Sequence, residues 1–232
     1  MLASKKIIWY EKISYWNFIL LSSFIAPSFA EEKNNFYLSV GGGVAFPSDV
    51  DGDQTISGVV YNSSAETDNP VVFSLGLGKS FNDYRVEFNY SKATVKSDKQ
   101  SISSGGVGLT VSISPSLESD VNSYMVYGYK DFKNDSKFTP YAGIGLGIAS
   151  LSSKDQTVSA VGTTLKVNGG DESVFSYALK GGFAYEVADN TSLYSEATYQ
   201  NFGSYDVTKN NLTTNYDSTN YFAVKAGLRF NF

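Results

Sequence analysis

The last twelve residues, Tyr221 to Phe232, read Y-F-A-V-K-A-G-L-R-F-N-F and constrain the fold more than any other stretch. Every second side chain from the end is apolar: Phe232, Phe230, Leu228, Ala226, Val224 and Phe222. Between them stand Asn231, Arg229, Gly227, Lys225 and Ala223. A period of two with one greasy and one wet face is a β-strand, and a strand of this length spans a bilayer core. Its backbone needs partners on both sides, so the other strands are expected to pair around until one meets it.

The first thirty residues stand apart. Lys5, Lys6 and Lys12 form a positive segment, Phe18 to Ala26 an apolar run, and Ser28-Phe29-Ala30 a small-x-small cleavage site. This is the pattern of a signal peptide, and the apolar run falls short of the roughly twenty residues a membrane helix needs. The expectation is export across the inner membrane, with residues 1–30 removed and residues 31–232 forming one domain.

Residues 31–232 hold 15 Lys+Arg against 22 Asp+Glu, a net charge of -7. A phosphate backbone needs a basic face, so no nucleic-acid partner is expected. The chain has no Cys, which removes disulfides and thiol chemistry, and no His, which removes the commonest general acid/base and metal ligand. No cofactor is expected, and no enzyme. The 17 Tyr and 16 Phe exceed what an ordinary soluble core uses and suit the aromatic girdles of a membrane protein.

Alternating segments recur along the chain. Strands are expected at about 36–46, 71–81, 84–91, 120–132, 138–149, 175–186, 192–202 and 221–232. Asn82-Asp83, residues 133–137 and residues 188–191 read as short turns. Residues 47–69, 96–118, 151–172 and 204–218 are long polar connections. Val107, Leu109, Val111 and Ile113, then Val158, Val161, Leu165 and Val167, alternate inside two of these. They suggest hairpins continuing beyond the membrane, with edges open to a partner. Eight strands joined alternately by short turns and long loops describe an all-β fold, an eight-stranded antiparallel up-and-down transmembrane β-barrel.

This layout, the stretch P-Y-A-G-I-G-L-G at Pro140 to Gly147 and the Phe-terminated strand together resemble the small bacterial outer-membrane β-barrel superfamily. That group includes the OmpA transmembrane domain, OmpX-like proteins and the surface antigens of alphaproteobacteria. The resemblance implies the outer membrane of a Gram-negative bacterium, with lipid and lipopolysaccharide around the barrel and the long loops outside the cell. It implies that Phe230 and Phe232 are read as an assembly signal by the barrel-assembly machinery. It also sharpens the enzyme argument, because the barrel enzymes it resembles use His.

Candidate sites are weighed against plainer readings. Gly41-Gly42-Gly43 and the alternating Gly143, Gly145 and Gly147 open no helix, so they make room in a narrow lumen rather than cradle phosphate. Asp49, Asp51 and Asp53 have the spacing of a calcium loop but lack its glycine and its twelfth-position Glu, leaving a weak metal candidate. The inward face is expected to carry Arg85, Lys130, Lys180, Lys225 and Arg229 with Glu87, Glu186 and Glu196. An eight-stranded lumen is about as wide as its side chains, so these charges are expected to fill it as a paired network.

The expected function is structural or surface interaction, through loops that meet an extracellular ligand or a host or phage surface. The alternative is a small porin-like channel, with the same charges lining a water path. A lipocalin-like soluble carrier is the third reading, and it would turn its apolar face inward.

Overall fold

The computed structural model describes residues 35–232, apart from residues 161, 168, 210 and 211. The signal peptide expected at 1–30 lies outside the described residues. Fourteen strands follow in order: β1 (Phe36–Pro47), β2 (Val50–Ile56), β3 (Val59–Glu66), β4 (Val71–Phe81), β5 (Tyr84–Ser104), β6 (Val107–Asp131) and β7 (Phe138–Ser153). Then come β8 (Gln156–Ala160), β9 (Thr163–Val167), β10 (Gly170–Ala188), β11 (Thr191–Phe202), β12 (Tyr205–Lys209), β13 (Leu212–Tyr216) and β14 (Thr219–Asn231).

Eight of them close a ring in the order β1, β4, β5, β6, β7, β10, β11, β14, every neighbour antiparallel. The closing strand pairs with the first from Tyr37 opposite Asn231 to Pro47 opposite Tyr221, so no edge remains in the barrel wall. The tightest turn needs a left-handed residue and has one, Asn82 at φ 52°.

Burial alternates around the ring. On β4, Val72, Ser74, Gly76 and Gly78 are buried while Val71, Phe73, Leu75 and Leu77 are exposed. The same alternation on β7, β10 and β14 leaves a continuous outer belt in which Phe73 is 66 % and Ile144 67 % exposed. In water such a belt would be a severe aggregation liability; in hydrocarbon it is the solvated face. Aromatic residues rim its short-turn end, among them Phe36, Tyr84, Phe138, Tyr185 and Phe230. Lys79, a basic residue at that end, lies over the rings of Phe36 and Phe81.

Two of the long connections, at the ends of β5 and β6 and at β8–β9, are the hairpins expected there, and the other two, β2–β3 and β12–β13, differ from the expectation. All four are β-structure rather than loops: β2–β3, the ends of β5 and β6, β8–β9 and β12–β13 are hairpins that carry the wall past the barrel rim. They pair in the order β12, β13, β2, β3, β5, β6, β8, β9. This also corrects the calcium-loop candidate. Asp51 and Asp53 lie on the extended β2, where alternate residues cannot curl around one ion, and Asp53 instead accepts a hydrogen bond from Asn215 Nδ2 at 3.2 Å. Asp49 precedes that strand. Among the described residues no cluster of three or more His, Cys, Asp or Glu could hold a metal.

Candidate functional site

The inward face divides the barrel into two zones. Toward the short turns it is polar and packed. Glu196 stands directly opposite Lys225 on the neighbouring strand, and Lys180 reaches it from the other side; the Nζ atoms lie 2.9 Å and 3.1 Å from Oε1. Tyr141 adds a hydroxyl at 3.2 Å to Oε2. Two cations and one hydroxyl donor satisfy a carboxylate that is 6 % exposed, which is the condition for keeping it charged there.

Glu87 is held by neutral donors instead: Ser39 Oγ at 3.1 Å, Asn89 Nδ2 at 2.9 Å and Tyr129 OH at 3.2 Å. Arg85 pairs with Asp131, Nε to Oδ2 at 2.8 Å, and donates to the Tyr37 hydroxyl at 3.2 Å. Arg229 has no carboxylate in salt-bridge reach among the described residues; its guanidinium lies between the rings of Tyr37, Tyr141 and Tyr194, 5.2 to 5.9 Å from their centroids. Aromatic faces thus replace a counter-charge.

Two of the eight expected lumen charges lie elsewhere. Lys130 faces outward at the short-turn rim, where it bonds Asp83 Oδ2 at 2.9 Å and overlies the Tyr84 ring; this hydrogen bond holds the Asp83 carboxyl below its usual range. The inward residues of β6 are Met125, Tyr127, Tyr129 and Asp131. Glu186 is on an inward parity but exposed, one rung beyond the packed lumen where the β10–β11 register breaks.

The lumen residues that sequence reasoning missed are Asp131 and the tyrosines. Tyr129 stands opposite Gly143, Tyr127 opposite Gly145 and Tyr37 opposite Gly78. A Cβ at Gly143 or Gly145 would run into the facing ring. The signal was present as tyrosines and glycines at inward parity, but only the inter-strand register matches one to the other.

Between these side chains lies a cavity of about 10 Å³ bordered by Glu87, Lys180, Glu196 and Arg229, no more than one water's worth. Above it a layer of amide and hydroxyls crosses the tube. Gln200 donates to Ser176 Oγ at 2.8 Å and Ser123 Oγ at 3.2 Å, and accepts from Tyr221 OH at 2.8 Å.

Beyond that layer the lining turns apolar, with Ala45, Val72, Ala149, Val174 and Phe202 packed together. Ala45, Val72 and Phe202 of this cluster form the base of an open cup of about 410 Å³ walled by the hairpins. Burial in this cup pushes the Tyr205 hydroxyl up to about 12 and raises that of Tyr216, whose ring stacks on it at 4.9 Å.

A closed ring with an apolar belt, a filled lumen and short turns at one end is the architecture of a bacterial membrane barrel. The model of the outer membrane protein beta-barrel domain matches residues 17–230. The chain belongs to that family. Its members' fold places this barrel in the cell outer membrane, with lipid against the belt. Outer membrane protein PagN of Salmonella typhimurium is 31 % identical over 93 residues, a match that spans 39 % of this chain and only 38 % of that protein.

Two solved structures share the fold. Neisserial surface protein A superposes with a TM-score of 0.54 at 19 % identity, over 87 % of this chain and 100 % of that one. OprG from Pseudomonas aeruginosa gives 0.57 at 12 % identity, over 88 % and 98 %. The shared fold explains the closed ring.

Phe230 and Phe232 lie outward at the short-turn end, 38 % and 66 % exposed, and the Phe232 amide bonds the Phe36 carbonyl at 2.9 Å. Both aromatic rings therefore lie on the outer face of the barrel.

Proposed function

We propose that this outer-membrane protein works through its long-hairpin crown at the cell surface, with the barrel as a closed anchor. The observation that carries the reading is the double engagement of Glu196 by Lys180 and Lys225 across the lumen, beside a cavity of about 10 Å³. A conducting pore needs a continuous water path, and a lumen filled by mutually paired side chains offers none.

The crown is the remaining surface with room for selectivity. Residues 47–69, 96–118, 151–172 and 204–218 carry 12 Asp+Glu against 5 Lys+Arg, so their partner is an extracellular ligand or a host or phage surface that is neutral or cationic. Lipopolysaccharide surrounds the outer rim in this reading. Phe230 and Phe232, accessible at the opposite end, serve the barrel-assembly machinery.

The test is conductance of the purified barrel in a planar bilayer beside protease treatment of intact cells. Wild type is expected to stay silent, and the four hairpin segments to be cut from outside. A steady wild-type current whose ion preference reverses in Lys225→Glu would replace this reading with the porin-like one.

A further inference from the structure

The polarity of the wall inverts at the barrel rim. Within the membrane the outer face is apolar and the inner face polar. In the crown the outer face carries Lys99 paired with Glu66 at 3.1 Å and Ser101 bonded to Thr110 at 2.8 Å, while the apolar residues turn inward. An irregularity between Ser97 and Lys99 changes the phase of β5, so that odd residues face inward below it and even ones above. Ile102 therefore lies directly opposite Ser63 and Leu109, on the face that lines the cup.

That inner face is not covered. Leu109 is 64 % and Val107 77 % exposed, with Ile56, Val59 and Ile102 continuing the strip from the neighbouring hairpins. An apolar strip turned inward, over an apolar cup of ligand-pocket size, calls for an occupant of matching chemistry. The base of the cup restricts that chemistry further. Gln200, Ser123, Ser176 and Tyr221 satisfy one another, so the polar side chains of that layer are engaged within it. The end of the ligand that reaches the base is apolar. Of the charged residues that border the cup, Glu172 stands at the inward parity of β10 and Lys154 at the margin, whereas Lys96 and Glu118, 2.6 Å apart, are even-numbered below the irregularity and face outward.

We infer that the cup is a binding site for one alkyl chain of an amphiphile, that chain on the Val72, Phe202 and Val121 base and the polar head at the margin. The site goes beyond surface recognition by the crown, and it stands or falls separately. Entry has two routes. The top is open, and the sheet order ends at β9 on one side and β12 on the other, so no described backbone pairing closes the wall between Val167 and Val207. The last rung beneath that gap is the Gly203 amide on the Phe175 carbonyl at 2.9 Å, and Phe175 faces lipid. The alkyl chain can thus come from a free solute or from a bilayer lipid.

The two tryptophans are Trp9 and Trp16, so a Trp9→Phe/Trp16→Phe chain carrying Leu117→Trp has one emitter, inside the cup. In lipid nanodiscs, added 9,10-dibromostearate is expected to quench this emitter saturably. Val95→Asp and Val207→Asp, on opposite walls, should each weaken the effect about tenfold. Nanodiscs of chain-brominated phosphatidylcholine without fatty acid form the second arm. Quenching at position 117 there assigns the occupant to the bilayer and equally supports the site. A Leu146→Trp emitter on the lipid face reports that the barrel is folded and inserted. Quenching at position 146 by both probes and at position 117 by neither overturns the inference, as does unchanged quenching in both folded Asp variants.

Discussion

The two ends of this one tube solve opposite problems with the same strands. Toward the short turns the wall stands in hydrocarbon, so apolar groups face out and the polar ones are forced into a space with almost no water. Each inward charge there needs a named partner: Glu196 has two lysines, Arg85 has Asp131, and Arg229 has three aromatic faces. Past the rim the wall stands in water, polar groups return to the outside, and the interior becomes an apolar cup. The packed half is held by specific pairs whose loss leaves an orphan. The cup is held by backbone pairing of the hairpins, and its side chains are spare.

The contrast breaks most sharply at Glu196. Glu196→Leu strips Lys180 and Lys225 of their shared anion, and removing one side of a buried ion pair costs about 3–5 kcal/mol. Urea unfolding in lipid vesicles, followed by the electrophoretic shift of folded barrel, should show a loss of that order. An unchanged midpoint would mean the lumen holds more water than a packed network allows.

Gly145→Ala probes packing without touching charge. The new methyl group meets the Tyr127 ring, and over-filling a packed interior costs about 1–3 kcal/mol. The same unfolding assay reads it, with Gly181→Ala, whose Cβ meets nothing, as the matched control.

Leu117→Ala, in the cup, should change stability by no more than about 0.5 kcal/mol, because its side chain borders open space. Its effect belongs in the quenching assay with an emitter placed elsewhere on the wall, such as Leu151→Trp. A loss of stability comparable to that of Gly145→Ala would erase the distinction between the two halves.

Much of the lumen was legible because a membrane strand sorts its residues by parity. Where one face is plainly apolar, as on β4 and β14, the other is inside, and Arg85, Glu87, Lys180, Glu196, Lys225 and Arg229 follow. Parity failed on β6, where Tyr124, Val126, Met125, Tyr127 and Tyr129 make both faces aromatic or aliphatic. Lys130 was therefore placed inside and Asp131, the true partner of Arg85, went unnoticed. Glu186 shows the other weakness: parity gives a direction but not where along the strand the packed lumen ends.

By itself the sequence determined the alternation, the eight spans, the short turns and the absence of His and Cys, since these depend only on neighbours along the chain. The tertiary structure decided which strands meet and at what register. Register set Glu196 beside Lys225 and Tyr129 against Gly143, and it carried the β5 phase change around to Ile102 and Leu109. A period of two defines two faces; only closing the ring, and knowing which solvent surrounds it at each height, says which face is the inside.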